Sequence, residues 1–227
     1  MDFGMNTGAL PGSDPGRTVE GDFETCLTVR ADPPGTRVPL AAWATAHGLT
    51  LTHVVLDRGR TPSRPTLVVR GSGGLDEHRG ATAEWSARLA HAGFTVVRAK
   101  ISAAPWNDGV PATDADAAAF PAHCHFEHRI TVRLPIPYDA RRLTVVAQRH
   151  TAHVSRDARR VLPGGIQERR VRQHAHGVGR PGARALLEEL LAALSAAGFQ
   201  PADVEEQFVV HDDNPALDSG WIEERES

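Results

Sequence analysis

The strongest constraint on the fold of this chain is an internal repeat. Residues 23–30 (FETCLTVR) reappear as residues 126–133 (FEHRITVR), and five of the eight positions are identical. Two shorter pairs follow in the same order: His53-Val54 with His153-Val154, and Ala92-Gly93-Phe94 with Ala197-Gly198-Phe199. Three matches in one order and at similar separations indicate that a single structural unit occurs twice.

Each copy of the repeat carries the same series of patterns. Alternating apolar and polar residues predict strands, whereas helical apolar spacing that stops at a glycine predicts helices. The first copy reads β-α-β-β-α-β over residues 22–30, 38–47, 49–57, 65–70, 76–92 and 94–101. The second copy repeats that order over residues 126–133, 141–149, 150–156, 168–174, 181–197 and 203–211. This order of elements is the one found in the ferredoxin-like fold.

The predicted fold class is therefore α+β, with two tandem ferredoxin-like (βαββαβ) units related by pseudo-twofold symmetry. Residues 19–102 are expected to form the first unit and residues 123–211 the second. Residues 103–122 lack periodicity and are interpreted as a linker. Residues 1–18 are predicted to be a flexible N-terminus and residues 212–227 a C-terminal tail.

Composition argues against several classes of protein. The 227 residues are 41% hydrophobic and 23% charged, close to ordinary globular usage. A net charge of −3 disfavours a basic surface for nucleic acid or membranes. No apolar run approaches the length of a membrane helix, and the first 21 residues lack the pattern of a secretion signal. We therefore expect a cytoplasmic protein that binds neither nucleic acid nor membrane.

Strand alternation predicts a charged face on each unit. In a ferredoxin-like unit, helices cover one face of the sheet, so polar residues that alternate with apolar ones lie on the open face. The two open faces either remain solvated or pack against each other and enclose a polar cleft. Arginine-rich clefts recognise carboxylates and phosphates. The candidate ligand-binding residues on these faces, which include the only lysine of the chain, are Glu24, Arg30, Lys100, Arg129, Arg133, Arg172 and His174.

A candidate acid–base pair comes from the repeated His-Val motif. If Val54 and Val154 face the helices, His53 and His153 share the open face, together with Ser155. Histidine titrates near neutral pH and can act as either acid or base. His153-Val154-Ser155 resembles the motif of the two-histidine phosphoesterases, duplicated proteins in which each lobe supplies a histidine. That resemblance implies catalytic roles for His153, His53 and Ser155, and Glu127 on the same face completes the candidate catalytic set.

Histidines also cluster near the two strands that are predicted to be neighbours in the second unit. These residues are His123, His125, His128, His174 and His176. Imidazole is a good zinc ligand, but the spacing matches no zinc signature. His125 and His128 fall differently in the pleat, so the cluster cannot converge as a whole. We therefore assign no metal ligands, and the cofactor stays unknown.

Glycine-rich segments precede the long helix of each unit, at residues 71–74 and 177–182. Backbone N–H groups at a helix N-terminus can bind phosphate, although ordinary turn chemistry explains these glycines equally well. Most of the chain also resembles an uncharacterised bacterial family with a duplicated ferredoxin-like unit. The residues that carry this resemblance are Phe126-Glu127-His128, His153-Val154-Ser155-Arg156 and Asp218-Ser219-Gly220-Trp221. The resemblance implies a shared fold and no activity.

Two functional hypotheses follow from these patterns. The first is that a cleft between the units binds a small anionic metabolite, with a phosphorylated compound as one form of it. In its enzymatic version, histidine acid–base chemistry hydrolyses or rearranges that metabolite in the manner of a phosphoesterase or lyase. The alternative is a non-catalytic module that docks a partner protein, or a second copy of the chain, through the same face.

Overall fold

The computed structural model describes residues 18–31, 36–56, 61–162 and 165–218, with the backbone alone over 156–162. The predictions for residues 1–17 and for Trp221 lie outside these ranges. The first unit consists of β1 (Glu20–Val29), α1 (Arg37–Ala46), β2 (Thr50–Leu56), β3 (Ser63–Gly74), α2 (Leu75–His91) and β4 (Val96–Ala103). After α3 (Asp114–Ala118), the second unit consists of β5 (His125–Pro135), α4 (Ala140–Arg149), β6 (Ala152–Leu162), β7 (Ile166–His176), α5 (Arg180–Ala196) and β8 (Pro201–Asp212).

The predicted β-α-β-β-α-β order is confirmed in both units. The helix ends show the local cause, because α2 and α5 are followed by Gly93 and Gly198 with φ of 84° and 82°. This left-handed conformation costs glycine little and ends a helix. At the other end of α4, the side chain of Asp139 accepts a hydrogen bond from the backbone N–H of Arg142, which is a typical N-cap.

The eight strands form one closed barrel in the order β1-β3-β2-β6-β7-β5-β8-β4. Within each unit the strands follow the same spatial sequence, β4-β1-β3-β2 in the first and β8-β5-β7-β6 in the second. The two four-stranded sheets join edge to edge, where β4 pairs with β8 and β2 pairs with β6. Because both junctions are paired, the described strands leave no open sheet edge, and the helix-free face of each sheet is turned toward the barrel interior.

The apolar cores lie between the barrel and its helices. In the first unit, Leu27 and Leu67 pack with Leu40 of α1 and Leu89 of α2. In the second unit, Ile130 occupies the repeat position of Leu27 and packs against α4 and α5. A third cluster, which contains Phe23, Phe126 and Phe208, spans the two units. Because alternate residues of each strand pack in these cores, the residues between them face the interior of the barrel.

The segment between the units is packed against both of them. Asn107 receives a hydrogen bond from the backbone N–H of Asp22 and donates one to its carbonyl oxygen. Asp114, the first residue of α3, accepts a hydrogen bond from the backbone N–H of Gly179 at the start of α5. These contacts tie the connection to β1 on one side and to α5 on the other.

Candidate functional site

The barrel interior holds a network of charged side chains centred on Glu127 of β5. Glu127 is only 1% exposed. Its Oε2 accepts a hydrogen bond from Lys100 Nζ at 2.8 Å, and its Oε1 accepts one from Arg129 Nε at 2.7 Å. Arg172 Nε lies 3.7 Å from Oε1, and His174 Nε2 lies 3.3 Å from Oε2. Lys100 lies on β4 of the first unit, whereas Arg129, Arg172 and His174 lie on β5 and β7 of the second. Side chains from both units therefore meet at one carboxylate.

Glu24 of β1 is the repeat counterpart of Glu127 and belongs to the same network. Arg129 donates from Nη1 to Glu24 Oε1 at 2.6 Å and so connects the two glutamates. Arg70 and Gln207 also donate to Glu24, at 2.7 and 3.2 Å. The side chain of Arg70 is 69% exposed, so the network reaches the protein surface at this point.

The electrostatics of the network follow from burial and close opposite charges. Burial raises the pKa of Glu24, but the positive charge of Arg129 and the hydrogen bonds to Glu24 outweigh it and lower the pKa to about 2. Burial lowers the pKa of Lys100, and the nearby arginines act in the same direction against the attraction of Glu127. Burial likewise lowers the pKa of Arg172, with Glu127 opposing and Arg129 reinforcing the change. Lys100, Arg129 and Arg172 therefore repel one another, and Glu127 attracts all three.

A second buried ion-pair group involves the residues that follow β8. Arg98 Nε donates to Asp212 Oδ1 at 2.9 Å, and Arg98 Nη1 lies 2.9 Å from Asp218 Oδ2. Arg64 of β3 donates to the Asp218 carboxylate and to the carbonyl of Leu217. Asp218 ends a short 3-10 helix, Pro215–Asp218. The start of the predicted tail is thereby held against β3 and β4 of the first unit.

The sequence analysis did not select the residues of this second group. Arg98 lies two residues before Lys100, so the same strand alternation that selected Lys100 also selects Arg98. Nothing in the local sequence indicates that Asp218 returns to β3 and β4, because that contact joins residues 154 positions apart.

The structure does not bring His53 and His153 together. On β2, Leu51 packs in the core beside α1, and His53, two residues later, therefore lies on the same outer face. His53 Nε2 lies 2.8 Å from Ser63 Oγ, and its Nδ1 lies 3.4 Å from Arg37 Nη1 of α1. These residues line a pocket of about 260 Å³ outside the barrel. The expectation that Val54 faces the helices, on which the pairing with His153 depended, was wrong.

His153 and Ser155 lie on the inner face of β6, as predicted. Val154 between them packs in the core of the second unit. In the register of the sheet, His153 is opposite Arg172 and Ser155 is opposite Arg170. Both side chains are buried, and Ser155 Oγ has no hydrogen-bond partner among the described residues.

The two remaining candidate ligands lie away from the network. Arg30 is exposed at the end of β1. The side chain of Arg133 is 54% exposed and donates from Nε to Glu168 Oε1 at 3.0 Å. The structure thus gathers five of the seven candidate ligand-binding residues and leaves these two out.

The glycine-rich segments present their backbone N–H groups to carboxylates of the chain itself. Gly74, before α2, donates to Glu77 at 3.1 Å, and Gly179, before α5, donates to Asp114 at 2.8 Å. A Cβ atom at position 179 would lie 2.5 Å from the backbone of Thr113, so close packing accounts for this glycine. The helix N-termini therefore do not support phosphate binding.

The histidine cluster separates into two faces of the sheet. His128 lies in the layer between sheet and helices, where its Nδ1 is 2.8 Å from Gln173 Oε1. His125, His174 and His176 instead lie together where β5 begins and β7 ends. These three imidazoles are the side chains that could hold a metal ion in the described part of the chain.

Comparisons with known proteins add little to this geometry. No protein-family model matches the sequence, and neither does any curated protein. The solved structures that the chain matches include the ligand-free regulatory subunit of aspartate kinase from Thermus thermophilus. The two sequences are 14% identical, the TM-score is 0.31, and the match covers 78% of this chain and 94% of the other. The corresponding subunit from Thermus flavus matches at 14% identity and a TM-score of 0.31, over 78% and 95% of the two chains.

These likenesses are too distant to say anything about activity. The resemblances to two-histidine phosphoesterases and to the bacterial family stay predictions, while the duplicated ferredoxin-like unit that the latter implied is present in the structure. No helix among the described residues combines the length and the apolar character needed to cross a membrane.

Proposed function

We propose that the protein binds a small anionic metabolite, one that carries carboxylate or phosphate groups, in the barrel interior beside Glu127. The observation that carries this proposal is the convergence of Lys100, Arg129 and Arg172 on a single carboxylate. Glu127 carries one negative charge and faces three cationic side chains, so the potential around it is locally positive. The carboxylate or phosphate groups of a ligand would complement that potential.

The proposed binding region beside Glu127 is nearest to solvent at Arg129. Arg129 Nη1 lies 3.8 Å from Glu205 Oε2, and the side chain of Glu205 is 46% exposed. Arg70, on the other side of Glu24, is also exposed. A small ligand that displaces these two exposed side chains could therefore reach Arg129 without unfolding the barrel.

The geometry favours binding over the enzymatic version of the hypothesis. Acid–base catalysis by the histidine pair requires both rings at one substrate. His53 lies on the outer face beside α1, whereas His153 lies on the inner face of β6. The proposal is therefore a ligand-binding protein, with no role for His53 in chemistry.

The alternative of docking a partner through the charged face is disfavoured for a related reason. That face lines a closed barrel, and Glu127, Lys100 and Ser155 are each at most 5% exposed. A partner protein could reach these residues only if the barrel opened. A homo-oligomer that uses another surface stays a prediction.

The test is anion binding by an arginine variant and a matched control. Binding of pyrophosphate and of citrate is measured by calorimetry at constant ionic strength, with thermal unfolding as a second readout. Arg172→Gln removes an interior cation, and Arg141→Gln removes an exposed one from α4. Loss of one charge-assisted hydrogen bond should weaken binding about tenfold or more in Arg172→Gln only.

Two results would overturn the proposal. One is that neither anion binds the wild-type protein or raises its unfolding temperature. The other is that folded Arg172→Gln, checked by circular dichroism, binds as tightly as Arg141→Gln. Arg172→Lys keeps the charge but not the planar group, and it is expected to bind with intermediate affinity.

A further inference from the structure

Three histidines of the second unit meet at one end of a pair of strands. His125 begins β5 and is opposite His176, which ends β7, while His174 lies two residues before His176 on the same strand face. One ring nitrogen from each lies within 4.8 Å of the others. We propose that His125, His174 and His176 form a binding site for a divalent transition metal ion such as Zn²⁺.

A hydrogen bond at one edge of the cluster orients the ring of His125 for this role. His125 Nδ1 lies 2.8 Å from the carbonyl oxygen of His123, which can only accept, so Nδ1 carries the proton. In metal sites, such a bond from one ring nitrogen orients the ring and leaves the lone pair of the other nitrogen for the metal.

The unused nitrogen of His125 is the second observation in favour of a ligand. His125 is 6% exposed, and its Nε2 has no hydrogen-bond partner in the described part of the chain. A buried polar atom without a partner is costly, and such atoms are uncommon in folded proteins. A metal ion bound at Nε2 removes that cost.

The third ring has a carboxylate beside it. His174 Nε2 lies 3.3 Å from Glu127 Oε2. Carboxylates next to a metal-binding histidine hold the ring in place and increase its basicity. His176 is exposed, so a metal ion can enter from solvent, and a further coordination position stays open there.

The donor set indicates the class of metal. Imidazole nitrogens suit zinc, copper and nickel, whereas magnesium and calcium prefer oxygen ligands. Zinc–nitrogen bonds are about 2.0–2.1 Å long, so bound nitrogens lie roughly 3.4 Å apart. The ring nitrogens, which lie within 4.8 Å of one another, must therefore approach by at most about 1.4 Å, and His176 is exposed and has room to move.

The experiment is metal binding by the full chain without a histidine tag. Protein treated with a chelator and then freed of it is titrated with Zn²⁺ against a chromophoric chelator, and Co²⁺ absorption reports the ligands. His176→Ala is the test variant because its side chain is exposed and its loss should not unfold the protein. His91→Ala, an exposed histidine at the end of α2, is the control.

We expect one Zn²⁺ per chain, an affinity at least about tenfold lower in His176→Ala, and no change in His91→Ala. Absence of stoichiometric binding by the wild type, or equal affinity in the two variants, would overturn the proposal. Arg172→Gln separates this inference from the proposed anion site. That variant should lose anion binding and keep the metal, so either proposal can fail without the other.

Discussion

Asp218 offers the sharpest test of how the charged interior stabilises the fold. Its carboxylate lies between Arg64 and Arg98, and all three side chains are at most 10% exposed. The variant Asp218→Asn preserves the shape of the side chain and removes its charge. Arg64 and Arg98 then lose one buried anion, although Arg98 keeps its pairing with Asp212.

The size of the effect can be worked out from the pKa of Asp218. Burial raises this pKa, but the charges of Arg98 and Arg64 outweigh burial and lower it from 3.8 to about 2. Each pKa unit is worth about 1.4 kcal/mol, so the ionised form gains about 2.5 kcal/mol in the folded state. Removing one member of a buried ion pair costs roughly 3–5 kcal/mol. We therefore expect Asp218→Asn to lower the free energy of unfolding by about 3 kcal/mol at pH 7.

The assay is urea unfolding followed by circular dichroism, with Asp76→Asn as the control. Asp76 forms an exposed ion pair with Arg79, and its side chain is 91% exposed, so its loss should change stability by less than about 0.5 kcal/mol. Because the folded-state pKa of Asp218 is lowered, its contribution is complete above about pH 4 and is lost as the pH falls toward 2. The difference between wild type and Asp218→Asn should shrink over that range. A difference below 1 kcal/mol at pH 7, or one that does not change on acidification, would refute the reasoning.

Three further predictions concern the core, a helix cap and a thiol. Leu187→Ala, at a fully buried position of α5, should lower the free energy of unfolding by about 2–5 kcal/mol, and a smaller loss in urea unfolding would contradict the packing of the second unit. Asp139→Ala removes the N-cap of α4 and should cost about 1 kcal/mol, whereas Asp139→Asn should recover most of that loss in the same assay. Burial raises the pKa of Cys124 to about 12, so a thiol reagent should modify it only after unfolding, and rapid labelling of the native protein would show that this thiol is accessible.

The order of elements could be predicted because local patterns carry it. The repeat at residues 126–133 coincides with β5, and the glycines at positions 93 and 198 follow α2 and α5 as expected. The strands extend beyond the predicted ranges, as β3 does to Gly74 and β5 to Pro135. Pairing with a neighbouring strand continues through residues whose own pattern is not strand-like.

The side of the sheet that each residue faces was harder to predict. Alternation relates neighbours to one another, but it does not show which set faces the helices. For β1 and β5 the large apolar residues settle that choice, and Glu24 and Glu127 were placed in the interior accordingly. For β2 both sets are apolar, and only the packing of Leu51 against α1 shows that His53 lies outside.

The sequence by itself determined the duplication, the series of elements in each unit and most of the charged residues on the uncovered faces, because these depend on spacing over a few residues. Only the tertiary structure decided that the two sheets join at both edges into a barrel, that Asp218 returns to Arg64 and Arg98, and that three of the clustered histidines converge. These features depend on contacts between residues far apart in the chain. No local pattern encodes such contacts, since they form only when whole sheets and helices have packed.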